Sequence, residues 1–269
     1  MLLKYCVGGG CVVIIFCNVM LYNMPKISKT DKPEPSKKEE DSEIQNYYKK
    51  IPKKYLESAN NPNFSKHQLK IPFRMCIVAP SGSGKTNFLM NLLSVFSVGK
   101  GTFSSITIIT RNKDEPLYKW LEDEVDGINI SEGLENTPDL DSFDKTVNHL
   151  LVWDDLVLSK DLKMVEEYYI RARKLNVSVV FISQSFFKIP KIIRNNCSYL
   201  VLLKLSGQRE VNLIMSEFGL GVTKPQLLKI YEYATAEKFS PLIIDFEADK
   251  EKRFRKGFLE ILNPAEYIA

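Results

Sequence analysis

The chain has 269 residues, and 37 Lys plus Arg against 33 Asp plus Glu leave a net charge of +4. With 44% hydrophobic and 11% aromatic residues, it has the apolar surface for a sizeable core. Intrinsic disorder, collagen and low-complexity classes are thereby excluded for the chain as a whole. A charge this small also excludes a general polyanion sponge, so any nucleic-acid contact must come from uneven placement of charge. The five cysteines form no CxxC pair, and the two histidines, His67 and His149, give no zinc-ligand spacing. A disulfide framework and a structural zinc are not expected, and the thiols fit a reducing compartment.

Leu2 to Tyr22 is apolar apart from Lys4 and Asn18. A bilayer-spanning helix needs about 20 apolar residues, so residues 1–23 are long enough for an anchor. They also fit a signal peptide with Lys4 as its basic start, although no clear small-residue cleavage site follows. A third reading starts the native chain at Met24, where MPKISKTDKPEP is an ordinary hydrophilic N-terminus. Membrane contact is expected only through this segment. Residues 24–70 read as a polar, basic tail or linker. Between Met24 and Asn63, nine Lys stand against seven Asp plus Glu, with five prolines. Such a stretch cannot bury enough apolar surface to order itself, apart from a short helix expected near Asp41 to Lys50.

From Ile71 the character changes, and residues 71–269 read as one domain with a basic C-terminal extension. Apolar runs recur at 73–79, 106–110, 150–155, 177–183, 199–205 and 241–246. They are short, β-branched and nearly unbroken, as strands buried on both faces of a parallel sheet are. Helical spacing lies between them, at Thr86 to Ser97, Glu115 to Val125, Leu162 to Lys174, Gln208 to Phe218 and Lys224 to Glu237. Strands alternating with helices predict an α/β layer architecture. Residues 114–144 carry eleven Asp plus Glu and read as a solvated face of helix and loop.

The strongest local signal is Ala79-Pro80-Ser81-Gly82-Ser83-Gly84-Lys85-Thr86, after a predicted strand and opening a predicted helix. That is the context of a Walker A loop, here with Ala79 in place of the first glycine. Backbone N–H groups of such a loop cradle phosphate oxygens. Lys85 is expected on the β- and γ-phosphates and the Thr86 hydroxyl on Mg²⁺. The expected nucleotide contacts are therefore Ala79, Pro80, Ser81, Gly82, Ser83, Gly84, Lys85, Thr86 and Asn87. The run LLVWDD (150–155) ends an apolar strand in two acids, the form of a Walker B. Asp154 is expected in the Mg²⁺ shell and Asp155 as general base, against the alternative that Asp155 only caps a helix. Gln184 follows the strand VSVVFIS, at the sheet edge where α/β folds bind ligands, and is expected to sense phosphate or orient water. Arg171, Arg173 and Arg194 are candidate cations for the site; the competing reading of each is a surface arginine at a helix end.

These residues resemble the FtsK–HerA superfamily of P-loop translocases. Within it they are most similar to the genome-packaging ATPases of poxvirus-like viruses, virophages and polinton-like elements. The resemblance covers roughly Ile71 to Leu262, and its specific part is the block RARKLNVSVVFISQSFFKIPKIIRNNCSYLVLLK (171–204). It implies an additional-strand P-loop fold, with a mostly parallel sheet of order 5-1-4-3-2 flanked by helices. The second acid and the sensor glutamine would stand on the strands beside the P-loop strand. It implies ATP and Mg²⁺ as cofactors, and ATP-driven translocation of double-stranded DNA into a preformed capsid. The partners implied are a homo-oligomeric ring, pentamer or hexamer, and the capsid or portal vertex, in the host cytoplasm, viral factory or virion. Arg173 becomes the expected trans-acting arginine finger with Arg171 its competitor, and Arg194 serves the site or the subunit interface. Two departures stand out: Ala79, and Lys174 where such sequences often have histidine. A cellular or mobile-element DNA pump, a small-molecule P-loop kinase and a non-catalytic ATP-binding protein remain the alternatives. Duplex contacts are expected from one or more of the basic segments Lys49 to Lys54, Lys188 to Arg194 and Lys250 to Lys256, with the acidic stretch facing away.

Overall fold

The apolar runs become strands because one sheet buries them from both sides. A computed structural model describes residues 46–52, 60–159 and 161–267. Residues 1–23, and the readings placed on them, lie outside these. The strands are β1 (Arg74–Val78), β2 (Ser105–Thr110), β3 (Ile128–Glu132), β4 (His149–Asp154) and β5 (Val177–Ser183), followed by β6 (Tyr199–Leu202), β7 (Leu242–Asp245), β8 (Phe254–Lys256) and β9 (Glu260–Ile261). Along β5, Val177, Val179 and Phe181 enter one hydrophobic layer, while Val180 and Ile182 enter the other. Successive side chains point to opposite faces, so a strand covered on both faces has no polar alternation to show.

The helices cover those faces. α2 (Lys85–Phe96) places Phe88, Leu89, Leu92, Leu93 and Phe96 on one layer, together with Tyr118 and Leu121 of α3 (Pro116–Glu124). On the other lie α4 (Lys163–Arg171), α5 (Lys191–Asn195), α6 (Gln208–Glu217) and α7 (Lys224–Ala234). Each fully buried large apolar side chain contributes about 1.5–3 kcal/mol. The sheet order is β3-β2-β4-β5-β1-β6-β7-β8-β9. Its centre, β6-β1-β5-β4-β2, is all parallel and is the expected 5-1-4-3-2.

The sheet outgrows that expectation at both ends. β3 extends it in parallel beyond β2, inside the acidic stretch read as helix and loop. Of β3 only Ile130 is fully buried, and an edge strand carrying charge is protected from pairing with other chains. β7, β8 and β9 add antiparallel strands on the other side. One placement needs correcting: β5 does flank β1, but β4, which carries the two acids, stands one strand further out.

The chain divides into two units, Met1–Leu56 and Glu57–Ala269. In the first, a 3₁₀ turn at Tyr47–Lys49 is capped by the Asn46 side chain, which accepts from the Tyr48 N–H. In the second, the boundary expected at residue 71 moves towards the N-terminus. α1 (Phe64–His67) and the residues around it are built into the domain. The Asn63 side chain donates to the carbonyls of Phe96 and Val98. His67 is fully buried, accepts from the Leu69 N–H at 2.9 Å, and has its pKa pushed down to about 4 by burial and by Arg255.

The basic run 250–256 is not a free cationic strip. Arg253 donates to the carbonyls of Leu220 and Ala248, and Lys256 pairs with Glu237 at 2.7 Å. Arg255 is buried in β8. It lies 3.7 Å from Asp245 and donates to the carbonyls of His67, Gln68 and Phe258. Removing one partner of a buried pair strands the other, at a cost of about 3–5 kcal/mol. Arg255→Met should therefore lower the unfolding free energy in urea by that order. A variant of unchanged stability with weakened duplex binding would return this residue to the DNA path.

Candidate nucleotide-binding site

The parallel strands end at one edge of the sheet, and the candidate residues gather there. The Ala79 N–H bonds to the Ser183 carbonyl at 3.1 Å, extending the β1–β5 ladder by one residue before the loop departs. Gly84 then takes φ +99 at the N-cap of α2, a region that favours glycine. A Cβ here would also meet the Phe239 ring at 2.3 Å, so that ring would have to move. No side chain caps this end of α2, so its first-turn N–H groups and the positive end of its dipole suit an anion. Within the loop, the Ser83 hydroxyl and the Lys85 ammonium both donate to the Pro80 carbonyl, at 2.6 and 3.3 Å. The loop fronts a cleft of about 540 Å³ whose walls include Lys85, Thr86, Arg111, Asp154, Asp155 and Gln184.

Asp154 ends β4 and is 5% exposed. Its Oδ2 accepts from the buried Tyr118 hydroxyl at 2.7 Å, whereas its buried Oδ1 has no hydrogen-bond partner. Burial pushes its pKa up to about 6, against the Tyr118 hydrogen bond, which lowers it. An orphaned buried carboxylate oxygen is costly unless a cation completes it. With the Thr86 hydroxyl on the same cleft, the donors are hard oxygens, which fit Mg²⁺. The next residue, Asp155, sits at φ +56, a left-handed conformation uncommon outside glycine. The Gln184 amide donates to both Asp155 carboxylate oxygens, at 3.1 and 3.0 Å. The alternative that Asp155 caps a helix does not hold, since α4 starts at Lys163 with Leu162 as its N-cap.

Of the expected nucleotide contacts, Ser81, Gly82, Gly84, Lys85, Thr86 and Asn87 line the cleft. Ala79, Pro80 and Ser83 are not among its walls; Ala79 is fully buried in the core, where a methyl fits as well as a hydrogen. Arg111, Asn112 and Glu115 line it without having been anticipated. The available signal was the strand run 106–110 ending in Arg111-Asn112 at the same edge. The arginines lie elsewhere. Arg171 pairs with Glu167 and Asp141. Arg194 is held by Glu217 at 3.0 Å and lies 4.9 Å from the Phe186 ring centre. Arg173 pairs with Glu247 at 3.6 Å. It precedes β5, whereas Gln184 follows it; seven residues of strand separate the two edges by roughly 23 Å.

Residues 61–246 match the family described as Poxvirus A32 protein. The chain is 28% identical over 209 residues to the DNA packaging protein OPG160 of Vaccinia virus (strain Copenhagen), covering 72% of this chain and 74% of that protein. The Monkeypox virus protein of the same name is also 28% identical, with 67% of its length covered. Among solved structures, the genome packaging NTPase B204 from Sulfolobus turreted icosahedral virus 2, in complex with AMP, superposes with a TM-score of 0.51 at 12% identity, over 70% of this chain and 98% of that one. EssC (ATPases 2 and 3) from Geobacillus thermodenitrificans gives 0.50 at 11% identity, over 72% of this chain and 40% of that one. At these identities the two structures speak for the fold, while the family match spans more than half of the sequence. This chain belongs to the poxvirus A32 protein family.

Proposed function

We propose that this protein is a viral DNA-packaging ATPase, which hydrolyses ATP in the cleft and uses the energy to drive duplex DNA into a capsid. The observation that carries the reading is the Asp155–Gln184 pair facing Lys85 and Thr86 across one cleft, beside the orphaned Asp154 oxygen. Thr86 and Asp154 would hold Mg²⁺, which when bound neutralises charge on the phosphates. Lys85 leaves the Pro80 carbonyl for the β- and γ-phosphate oxygens. Asp155 takes the proton of the attacking water as its oxygen bonds to the γ-phosphorus and the bond to the β-phosphate oxygen breaks. Gln184 fixes the direction in which that carboxylate points. Arg111, on the wall of the same cleft, adds a cation near the phosphates.

Family membership and the packaging names of its relatives support DNA and capsid as partners, and an infected cell as the setting. The ring, and an arginine from its neighbouring subunit, are parts of the same proposal. Packaging requires a grip on the duplex backbone that ignores sequence. Arg253, Arg255 and Lys256 are tied into the fold, as is Arg194, so the cations these two segments leave exposed for the backbone are Lys188, Lys191, Lys250 and Lys252. Among the described residues no helix is long and apolar enough to cross a membrane.

Phosphate release measured with and without long duplex DNA tests the reading. Stimulation by DNA of any sequence, falling as salt rises, is the expected result. Phosphoryl transfer to a small molecule, with no response to DNA, would instead make the protein a kinase.

A further inference from the structure

On the proposed reading, a triphosphate in the cleft has its orientation set by the residues that line it. Asp155 and Gln184 mark the end at which the terminal phosphate reacts, and the first turn of α2 holds the middle. On the same reading the nucleoside would leave past Asn87. There a second hollow of about 320 Å³ opens, walled by Asn87 and Asn91 on α2 and by Lys238, Phe239 and Ser240. Asn87 lines both hollows. The segment 238–241 reaches this place because β7 runs antiparallel to β6. Leu242 pairs with Leu202, so the entry to β7 stands at the edge where the P-loop strand ends.

Phe239 is the unusual residue of this hollow. It is 43% exposed, so packing of the core does not account for it. Its backbone sits at φ +68, an outlier for a bulky side chain, and such strain collects at ligand sites. Its ring is laid directly against Gly84 of the P-loop, and the Lys238 ammonium is 4.9 Å from the ring centre. An exposed aromatic ring held beside the phosphate loop has the placement a stacking platform needs.

We propose that Phe239 receives the purine base of ATP on its ring. This rests on the reading that the cleft binds ATP. Stacking on an aromatic ring tolerates any base with a broad π-face, so ATP and GTP are held alike through this contact.

The test compares the wild type, Phe239→Gly and Phe239→Tyr, titrated with ATP and with inorganic tripolyphosphate, which has no base. Glycine accepts φ +68, so Phe239→Gly removes the ring without adding backbone strain. ATP affinity should fall roughly tenfold in Phe239→Gly and hold within about twofold in Phe239→Tyr. Tripolyphosphate affinity should be the same in all three. Equal loss for ATP and tripolyphosphate in Phe239→Gly would make the ring a prop for the P-loop and overturn the platform. Unchanged ATP affinity in that variant would overturn it as well, with the ATP reading intact. A wild type that binds neither ligand would remove the ATP reading itself, and the base site with it.

Discussion

Asp155→Asn should bind nucleotide and fail to hydrolyse it, whereas Lys85→Ala should fail to bind it tightly. On the proposed mechanism the two outcomes separate because the residues act on different parts of the triphosphate. Asp155 offers the cleft a carboxylate steadied on both oxygens by Gln184. Asparagine keeps the shape and loses the basicity. It also tolerates the left-handed backbone that Asp155 occupies at φ +56, so the substitution adds no strain of its own. The loss of a general base costs about 10²–10⁴ in rate. Lys85 instead supplies charge: its ammonium rests on the Pro80 carbonyl at 3.3 Å and has a short path to the phosphates. Equilibrium ATP binding and single-turnover phosphate release, measured on both variants, check the split. Turnover in Asp155→Asn equal to the wild type would remove Asp155 from the mechanism.

The parts of this site that were legible in the sequence are those where chemistry needs a fixed residue at a fixed place on a buried strand. The phosphate loop follows β1, the acids end β4 and Gln184 follows β5, and each strand announces itself because both faces are covered. Arg111 and Glu115 share the same edge without carrying such a signal. Charged residues after a strand look like any solvated loop until the sheet order places β2 next to β4. The other misses involve polar groups buried by hydrogen bonding, which hydrophobic patterning cannot register. Asn63 and His67 sit inside the polar stretch 24–70, yet both are buried. Arg255 reads as one cation in a basic run, but Asp245 and three backbone carbonyls hold it in the interior. β9 is two residues long, below the length at which alternation carries information.

If the protein works as the proposed ring with Arg173 in trans, Arg173→Ala should abolish ATPase activity in a way that a second inactive subunit repairs. Arg173 stands at the edge of the sheet opposite the cleft, so it cannot serve its own nucleotide. Its partner Glu247 is 3.6 Å away on an exposed surface, and exposed pairs contribute only about 0–1 kcal/mol. Little therefore holds Arg173 back from a phosphate on a neighbouring subunit. Arg194 has the opposite character. Its side chain is 13% exposed, as is that of Glu217, and its guanidinium also packs on Phe186. Removing it should lower stability before it affects turnover. An arginine supplied in trans accelerates phosphoryl transfer by about 10³–10⁵, so Arg173→Ala alone should fall to near background while still binding ATP. Mixed with Lys85→Ala, some interfaces join an intact P-loop from one chain to an intact arginine from the other, and activity should return in proportion to their number. No recovery in rings shown to be mixed would exclude Arg173 as the trans cation. Recovery with Arg194→Ala in its place would show that the Glu217 pair opens on assembly and that the neighbour's phosphate takes Arg194 instead.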